Sequence, residues 1–378
     1  MRILFIIPSF ANGGTLSSLK NLLPVLYNCH FQLYLYAITN SGPNKGYVRK
    51  YCTIIGEKGV NNNETYSSSS NMSFVKRVKR LLCKVNVDIS PILFRLQARL
   101  IDNGYDYVVA YQEGQPTLLA SFFSKSQRIA WIHCDYKNYL NLSHRSPEID
   151  LYNKFDKVVC VSNYTKKQFL STMNSLKAQV YSIHNILDSE TIISLSNDLS
   201  QDELPYDRKE FNILSIGRLD PVKRFDMIPK IVNQMKTMGA VGFKWYLIGD
   251  GIERDRIEQI VANEANCEVV LLGEINNPYP YLVHADLFVS LSESEACPYV
   301  INEAKVLHVP IVSTDFGSVY EFLGHGEKGI ISSIHSISNE IARMIMDKEY
   351  YSTTKKAASD FEYDNTDIIQ TIVNDVFN

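Results

Sequence analysis

The chain has no Cys-x-x-Cys pair, no Gly-x-Gly-x-x-Gly in the loop after its first strand, no Asp-x-Asp pair and no apolar run long enough to cross a bilayer. Its seven cysteines, Cys29, Cys52, Cys83, Cys134, Cys160, Cys267 and Cys297, are odd in number and far apart. That spacing excludes paired zinc ligands and a dense disulfide framework, and leaves reduced thiols in a cytoplasmic protein as the expectation. An excess of either charge is also lacking, with 38 Lys+Arg against 41 Asp+Glu and a net charge of -3. Phosphate backbones need clustered positive charge, so nucleic acid is not expected as the main partner. The apolar start, Met1 to Pro8, is too short for a signal peptide or a membrane span, and reads as a first buried strand.

What is present is a repeated alternation. At 378 residues the chain exceeds one ordinary core, and two domains are expected. Ile3–Ile7, Phe31–Ile38, Asp106–Tyr111, Arg128–His133, Lys157–Val161 and Val180–Ile183 read as strands, and helical patterns lie among them. The rhythm breaks after Ser194, in a polar and acidic stretch. It restarts with strands at Phe211–Ile216, Lys244–Ile248, Val269–Leu272, Leu287–Leu291 and Ile311–Ser313. Strands that alternate with helices imply parallel sheets covered on both faces, an α/β fold. The reading is therefore a first domain over 1–195, a linker over 196–210 and a second domain over 211–359. A last helix within 360–378 is expected to pack back on the first domain.

Candidate site residues lie at carboxyl ends of these strands, where open α/β sheets bind ligands. In the first half, Gly13 and Gly14 sit between a strand and a helix and let a ligand approach backbone N–H groups. Paired glycines also simply make tight turns. Arg128–His133 delivers His133 and then Asp135 at a strand end, although a lone histidine is more often structural. In the second half, Arg218 and Lys223 follow one strand. Glu295 lies in the turn after another, with Glu303 about two helical turns further on. Pro298 opens that helix, which should end near His308. Two cations and two carboxylates on one rim suit a diphosphate flanked by hydroxyl-rich groups, with the gap between two domains as the binding cleft. Solvated turn glutamates are the bland alternative. Between the strands of the first half, Lys76, Arg77, Lys79, Arg80 and Lys84 share a helical pattern with no acid among them. This basic amphipathic stretch suits an anionic membrane surface, or equally a solvated face over a core.

The second-half residues carry a family likeness. Gly217-Arg218-Leu219 with Lys223, Gly249-Asp250-Gly251, Ser292-x-x-Glu295 with Glu303, Val312-Ser313-Thr314-Asp315-x-Gly317, and Asn185 before Asp188 stand in one order. Together they resemble retaining glycosyltransferases of the GT-B architecture, family 4, over nearly the whole chain. Trp131-Ile132-His133-x-Asp135 is similar to members that build lipopolysaccharide or capsule. The resemblance implies two Rossmann-like domains facing a central cleft. It implies that Arg218 and Lys223 hold the diphosphate of a nucleotide-sugar donor, with UDP as the commonest nucleotide. Glu303 would take the ribose hydroxyls, Glu295 the sugar hydroxyls, and the backbone of Gly273, Glu274 and Ile275 the base. Gly13 and Gly14 would approach the phosphates, and His133 would lie beside the transferred sugar. No metal and no further cofactor are implied. The acceptor would be a saccharide or a lipid-linked saccharide, handled at the inner face of the cytoplasmic membrane. One departure stands out: Ala296 follows Glu295 where the family commonly has glycine, so this turn must avoid positive φ.

Two other classes remain. A nucleotide-sugar epimerase of the same architecture needs no acceptor, and a donor-only incubation read by NMR separates it. A non-catalytic nucleotide-sugar-binding protein would bind the diphosphate without turnover. An NAD-dependent dehydrogenase is disfavoured, because the first loop lacks the dinucleotide fingerprint.

Overall fold

The computed structural model describes residues 1–56, 90–263 and 268–378. The basic stretch from Lys76 to Lys84 lies outside them. The chain divides into two compact units, Met1–Ile186 with Asn365–Asn378, and Leu187–Asp364.

The first unit holds a seven-stranded parallel sheet: β1 (Arg2–Ile7), β2 (Gln32–Ala37), β3 (Thr53–Ile54), β4 (Tyr107–Ala110), β5 (Gln127–Ile132), β6 (Lys157–Cys160) and β7 (Gln179–Ser182). Their spatial order is β3-β2-β1-β4-β5-β6-β7. Strand side chains alternate between faces, and Leu4, Ile6, Val108, Ala110, Ala130 and Ile132 form one continuous buried layer. The final segment belongs to this unit. Lys157 Nζ donates to the carbonyls of Asp375, Val376 and Asn378 at 2.7, 3.0 and 3.1 Å. A cation on the last carbonyls of a helical segment satisfies groups that have no partner within it.

The second unit holds six parallel strands: β8 (Phe211–Ile216), β9 (Phe243–Ile248), β10 (Val269–Gly273), β11 (Leu287–Ser290), β12 (Ile311–Thr314) and β13 (Ile330–Ser332). Their order is β10-β9-β8-β11-β12-β13. Both faces are buried: Ile213, Trp245, Leu247 and Val289 on one, Leu214, Tyr246, Ile248 and Phe288 on the other. This is why these strands read as largely apolar runs rather than as strict alternation. The buried Trp245 indole is satisfied by Ser215 Oγ at 3.0 Å, which in turn donates to the Val289 carbonyl at 2.7 Å.

The stretch expected as a linker over 196–210 is instead packed into the second unit. Leu204 and Tyr206 are buried there beside Leu187 and Ile192. Tyr206 OH donates to the Tyr281 carbonyl, and Tyr246 OH to the Pro205 carbonyl, both at 2.8 Å. Acidic and polar neighbours in sequence hide these two anchors, so the passage between units falls near Ile186 rather than at 196–210.

In each sheet the strand order reverses once, between β1 and β4 and between β8 and β11. The loops leaving those strands start at the carboxyl edge beside the reversal, the place where such sheets bind ligands.

Candidate functional site

In the second unit, the reversal is flanked by the loop after β8, Gly217–Arg224, and the loop after β11, Leu291–Pro298. Three links tie these loops together. The Glu293 amide donates to the Val222 carbonyl at 2.8 Å. Arg224 pairs with Glu293 at 2.9 Å. Lys223 Nζ donates to Glu295 Oε1, and both side chains are about four-fifths buried, with 23% and 19% exposure. Arg224 turns the chain with φ of 53°, a left-handed conformation rare for a residue with a long side chain.

Glu295 is held from several sides. Ser292 Oγ donates to its Oε1 at 2.8 Å, and Ser318 Oγ to its carbonyl at 2.7 Å. Thr314 Oγ1, at the end of β12, donates to the Ser292 carbonyl at 2.5 Å. Ala296 is buried and is not among the residues with positive φ, so the turn takes a route alanine accepts. Pro298 stands at the N-cap position, without a side-chain cap bond, before the helix Tyr299–Val306, which carries Glu303 on its second turn. Glu303 is partly buried and accepts from Tyr279 OH at 3.1 Å. Burial pushes its carboxyl up to about 7, with the Tyr279 hydrogen bond pulling the other way.

Arg218 stands apart from this cluster. Its guanidinium is 73% exposed and pairs locally with Asp220, at 2.7 Å from both Nε and Nη2. The four residues picked out by sequence thus meet in part. Lys223 and Glu295 touch, Glu303 is held by Tyr279, and Arg218 is held by Asp220. Asp220, Tyr279, Arg224, Glu293 and Ser318 carried no sequence signal, because each acts through a partner distant in sequence or through a short-range choice.

The glycine pairs have a steric reason. A Cβ on Gly249 would sit 1.9 Å from the Gly217 carbonyl oxygen, and one on Gly251 would sit 2.3 Å from the Leu219 carbonyl oxygen. Bare backbone here lets the loop after β9 run against the loop that carries Arg218. Leu219 N–H donates to the Asp250 carbonyl at 2.9 Å, and Gly249 N–H to the Gly273 carbonyl at 2.8 Å. Gly273, with φ of 75°, turns the chain out of β10 toward Glu274 and Ile275 on the same sheet edge.

In the first unit, Gly13 precedes the helix Gly14–Asn28, whose N-terminus has no side-chain cap. Open space surrounds the Cβ positions of both Gly13 and Gly14. One turn along, Ser18 Oγ lies 2.7 Å from Tyr111 OH and donates to Asn185 Oδ1 at 2.7 Å. His133 follows β5 with its ring centroid 4.7 Å from that of Tyr111. Its Nε2 is buried without a hydrogen-bond partner among the described residues. Burial pushes the imidazole down to about 3, so it is neutral at physiological pH. Asp135 caps the next helix through the Asn138 amide at 3.1 Å and accepts from Tyr164 OH at 2.8 Å. Among the described residues, no helix is long and apolar enough to cross a membrane.

Residues 210–347 match the family model described as glycosyl transferases group 1. Over 274 residues the chain is 24% identical to a Campylobacter jejuni protein, covering 68% of this chain and 72% of that one. That protein is named N-acetylgalactosamine-N,N'-diacetylbacillosaminyl-diphospho-undecaprenol 4-alpha-N-acetylgalactosaminyltransferase. It is also 24% identical over 226 residues to the Escherichia coli O-antigen biosynthesis glycosyltransferase WbnH, covering 59% of this chain and 57% of that protein. Two further curated relatives are matched over only 41% and 49% of their lengths. The chain thus spans about half or less of the length of those two. Among solved structures, Anabaena Alr3699/HepE in complex with UDP and glucose is similar in fold, with a TM-score of 0.72 at 17% identity. The match covers 100% of this chain and 99% of that one.

The loop packing yields a direct test. Gly249→Ala forces a methyl group into the Gly217 carbonyl and places alanine at φ of 147°. Overpacking against backbone costs about 1–3 kcal/mol, and urea unfolding should show a loss of at least this size.

Proposed function

We propose that this chain, whose residues 210–347 match the model of group 1 glycosyl transferases, moves a hexose or N-acetylhexosamine from a UDP-sugar to a saccharide or lipid-linked acceptor in bacterial surface-polysaccharide synthesis. The observation that carries the reading is the meeting of Lys223 and Glu295 across the strand reversal of the second unit. A cation and a carboxylate held in contact there are suited to the two halves of an activated sugar. The ammonium takes the diphosphate, and the carboxylate accepts from sugar hydroxyls. The names of the C. jejuni and E. coli relatives support an acceptor that is a lipid-linked or O-antigen saccharide.

Transfer from a nucleotide diphosphate builds positive charge on the sugar and negative charge on the departing phosphate. Lys223 and Arg218 meet that negative charge as fixed cations. Arg218 must leave Asp220 to do so, giving up a pair in which the cation is 73% exposed and the carboxylate 14% exposed. Glu303 takes the ribose hydroxyls, oriented by Tyr279. The backbone of Gly273, Glu274 and Ile275 takes the base. In the first unit, Gly13 and Gly14 serve the phosphates and His133 the transferred sugar. The neutral imidazole of His133 donates or accepts a hydrogen bond without adding charge where the oxocarbenium character develops. Retention of anomeric configuration follows when the acceptor enters on the face the diphosphate leaves, with a phosphate oxygen taking the acceptor's proton. The bond from acceptor oxygen to anomeric carbon forms as the sugar–phosphate bond breaks, and UDP carries the proton away.

Two tests follow. A thermal-shift screen of nucleotide sugars identifies the donor, and mass spectrometry with lipid-linked acceptors then reads the product. With that pair, Lys223→Ala and Arg218→Ala should each slow turnover by ~10²–10³-fold while remaining folded. Near-wild-type rates for both variants refute the assignment.

The second test uses pH. A carboxyl with its pKa raised to about 7 is mostly protonated at pH 6 and mostly ionised at pH 8. The ionised form accepts from both ribose hydroxyls, so UDP binding releases the Glu303 proton and affinity rises with pH, by at most about tenfold per unit below the pKa. Calorimetric titration of wild type against Glu303→Gln between pH 6 and 8 separates this from the titration of UDP itself. The variant should bind more weakly and lose the part of the pH dependence due to Glu303.

A further inference from the structure

A buried carboxylate in the first unit has no place in the reading above. Glu113 lies in the loop after β4 and is only 9% exposed. It follows the strand that pairs with β5, in register Ala110↔Ala130. Its Oε1 accepts from two successive amides, those of His133 and Cys134, the latter at 3.0 Å. These amides lie just past the last β5–β6 register pair, Ile132↔Cys160. Left unbonded, these buried donors would each carry a desolvation penalty. Glu113 supplies the acceptor, and does so with a carboxylate where a neutral carbonyl would satisfy the same donors. Burial raises its pKa, opposed by hydrogen bonds from its own backbone, from the Cys134 side chain and from the two amides. Two residues before it, the Tyr111 ring packs on the His133 ring, with centroids 4.7 Å apart. One short loop therefore grips both the backbone and the side chain of His133.

We propose that Glu113 is a positioning residue for glycosyl transfer, acting by fixing the turn that presents the His133 imidazole. This rests on the reading that His133 serves the transferred sugar. Glu113 touches amides and not the reacting atoms, so its effect must pass through His133. Misplacing a group at a reacting centre by about 1 Å can cost ~10²-fold, which sets the upper range of the loss. The donor-binding side chains Lys223, Glu295 and Glu303 belong to the other unit and should be unaffected.

The test is a double-mutant cycle on the full chain. UDP release is measured from UDP-glucose, UDP-galactose, UDP-N-acetylglucosamine and UDP-N-acetylgalactosamine with a bacterial membrane-lipid extract as acceptor. Glu113→Gln keeps an acceptor oxygen but loses the charge. Glu113→Asp keeps the charge but shortens the reach. Both are compared with His133→Ala, and thermal melts select the variant that stays folded. The expected result is a kcat about 10-fold down with donor KM within about twofold of wild type. In the double variant with His133→Ala, the rate should be no lower than for His133→Ala alone. Multiplying losses in the double variant, or a rise in donor KM with kcat intact, would overturn the positioning role and leave the donor assignment standing. Full turnover by His133→Ala, with Lys223→Ala inactive, would remove the His133 role and this inference with it, again without touching the donor site.

Discussion

The contact between Lys223 and Glu295 is the interaction on which the rest of the site depends. The two residues are separated by 72 positions and meet only because β8 and β11 are neighbours at the point where the sheet reverses direction. Each side chain is mostly shielded from water. A charge left unpaired in such a place costs about 1–3 kcal/mol or more, so neither is tolerated there without a partner. In the free protein each is the other's partner. In the proposed function, a donor substrate replaces the pair without leaving either charge bare, because it brings an anionic diphosphate for the lysine and hydroxyl donors for the carboxylate.

Around that pair, the second unit spends its polar groups on holding backbone in place. Ser292, Ser318 and Thr314 all donate to the loop that carries Glu295. Arg224 and Glu293 tie it to the opposite loop. Gly249 and Gly251 let the β9 loop close against the Arg218 loop at a distance no Cβ permits. The first unit solves a similar problem with different parts. Glu113 satisfies the amides beyond β5, and Tyr111 links the His133 ring to Ser18 and, through it, to Asn185. In both units, side chains that reach across neighbouring strands fix the carboxyl-edge loops, since the ladder itself ends with the strands.

The α/β alternation was legible in the sequence because strands buried on both faces leave largely apolar runs, such as Leu287–Ser290. Strand ends are also legible, so Arg218, Lys223, Glu295 and Glu303 could all be placed on one sheet edge from sequence. Very short strands, Thr53–Ile54 and Ile330–Ser332, carry too few residues to show a period. The supposed linker misled because Leu204 and Tyr206 are isolated apolar anchors in a polar setting, and their partners Tyr246 and Tyr281 lie far along the chain. The pairing of Arg218 with Asp220 and of Glu303 with Tyr279 was also out of reach. Several acids and hydroxyls lie within sequence range of each, and only the loop path decides among them. The role of Glu113 depends on the β4–β5 register, which no local pattern reports.

The most direct test of the exchange at the centre of this account is the position of Lys223 in a crystal structure with the UDP-sugar bound. The account predicts that Lys223 Nζ leaves Glu295 and lies within hydrogen-bond distance of a diphosphate oxygen, with Glu295 turned to the sugar hydroxyls. A complex in which Lys223 and Glu295 remain paired while the diphosphate binds elsewhere would contradict it.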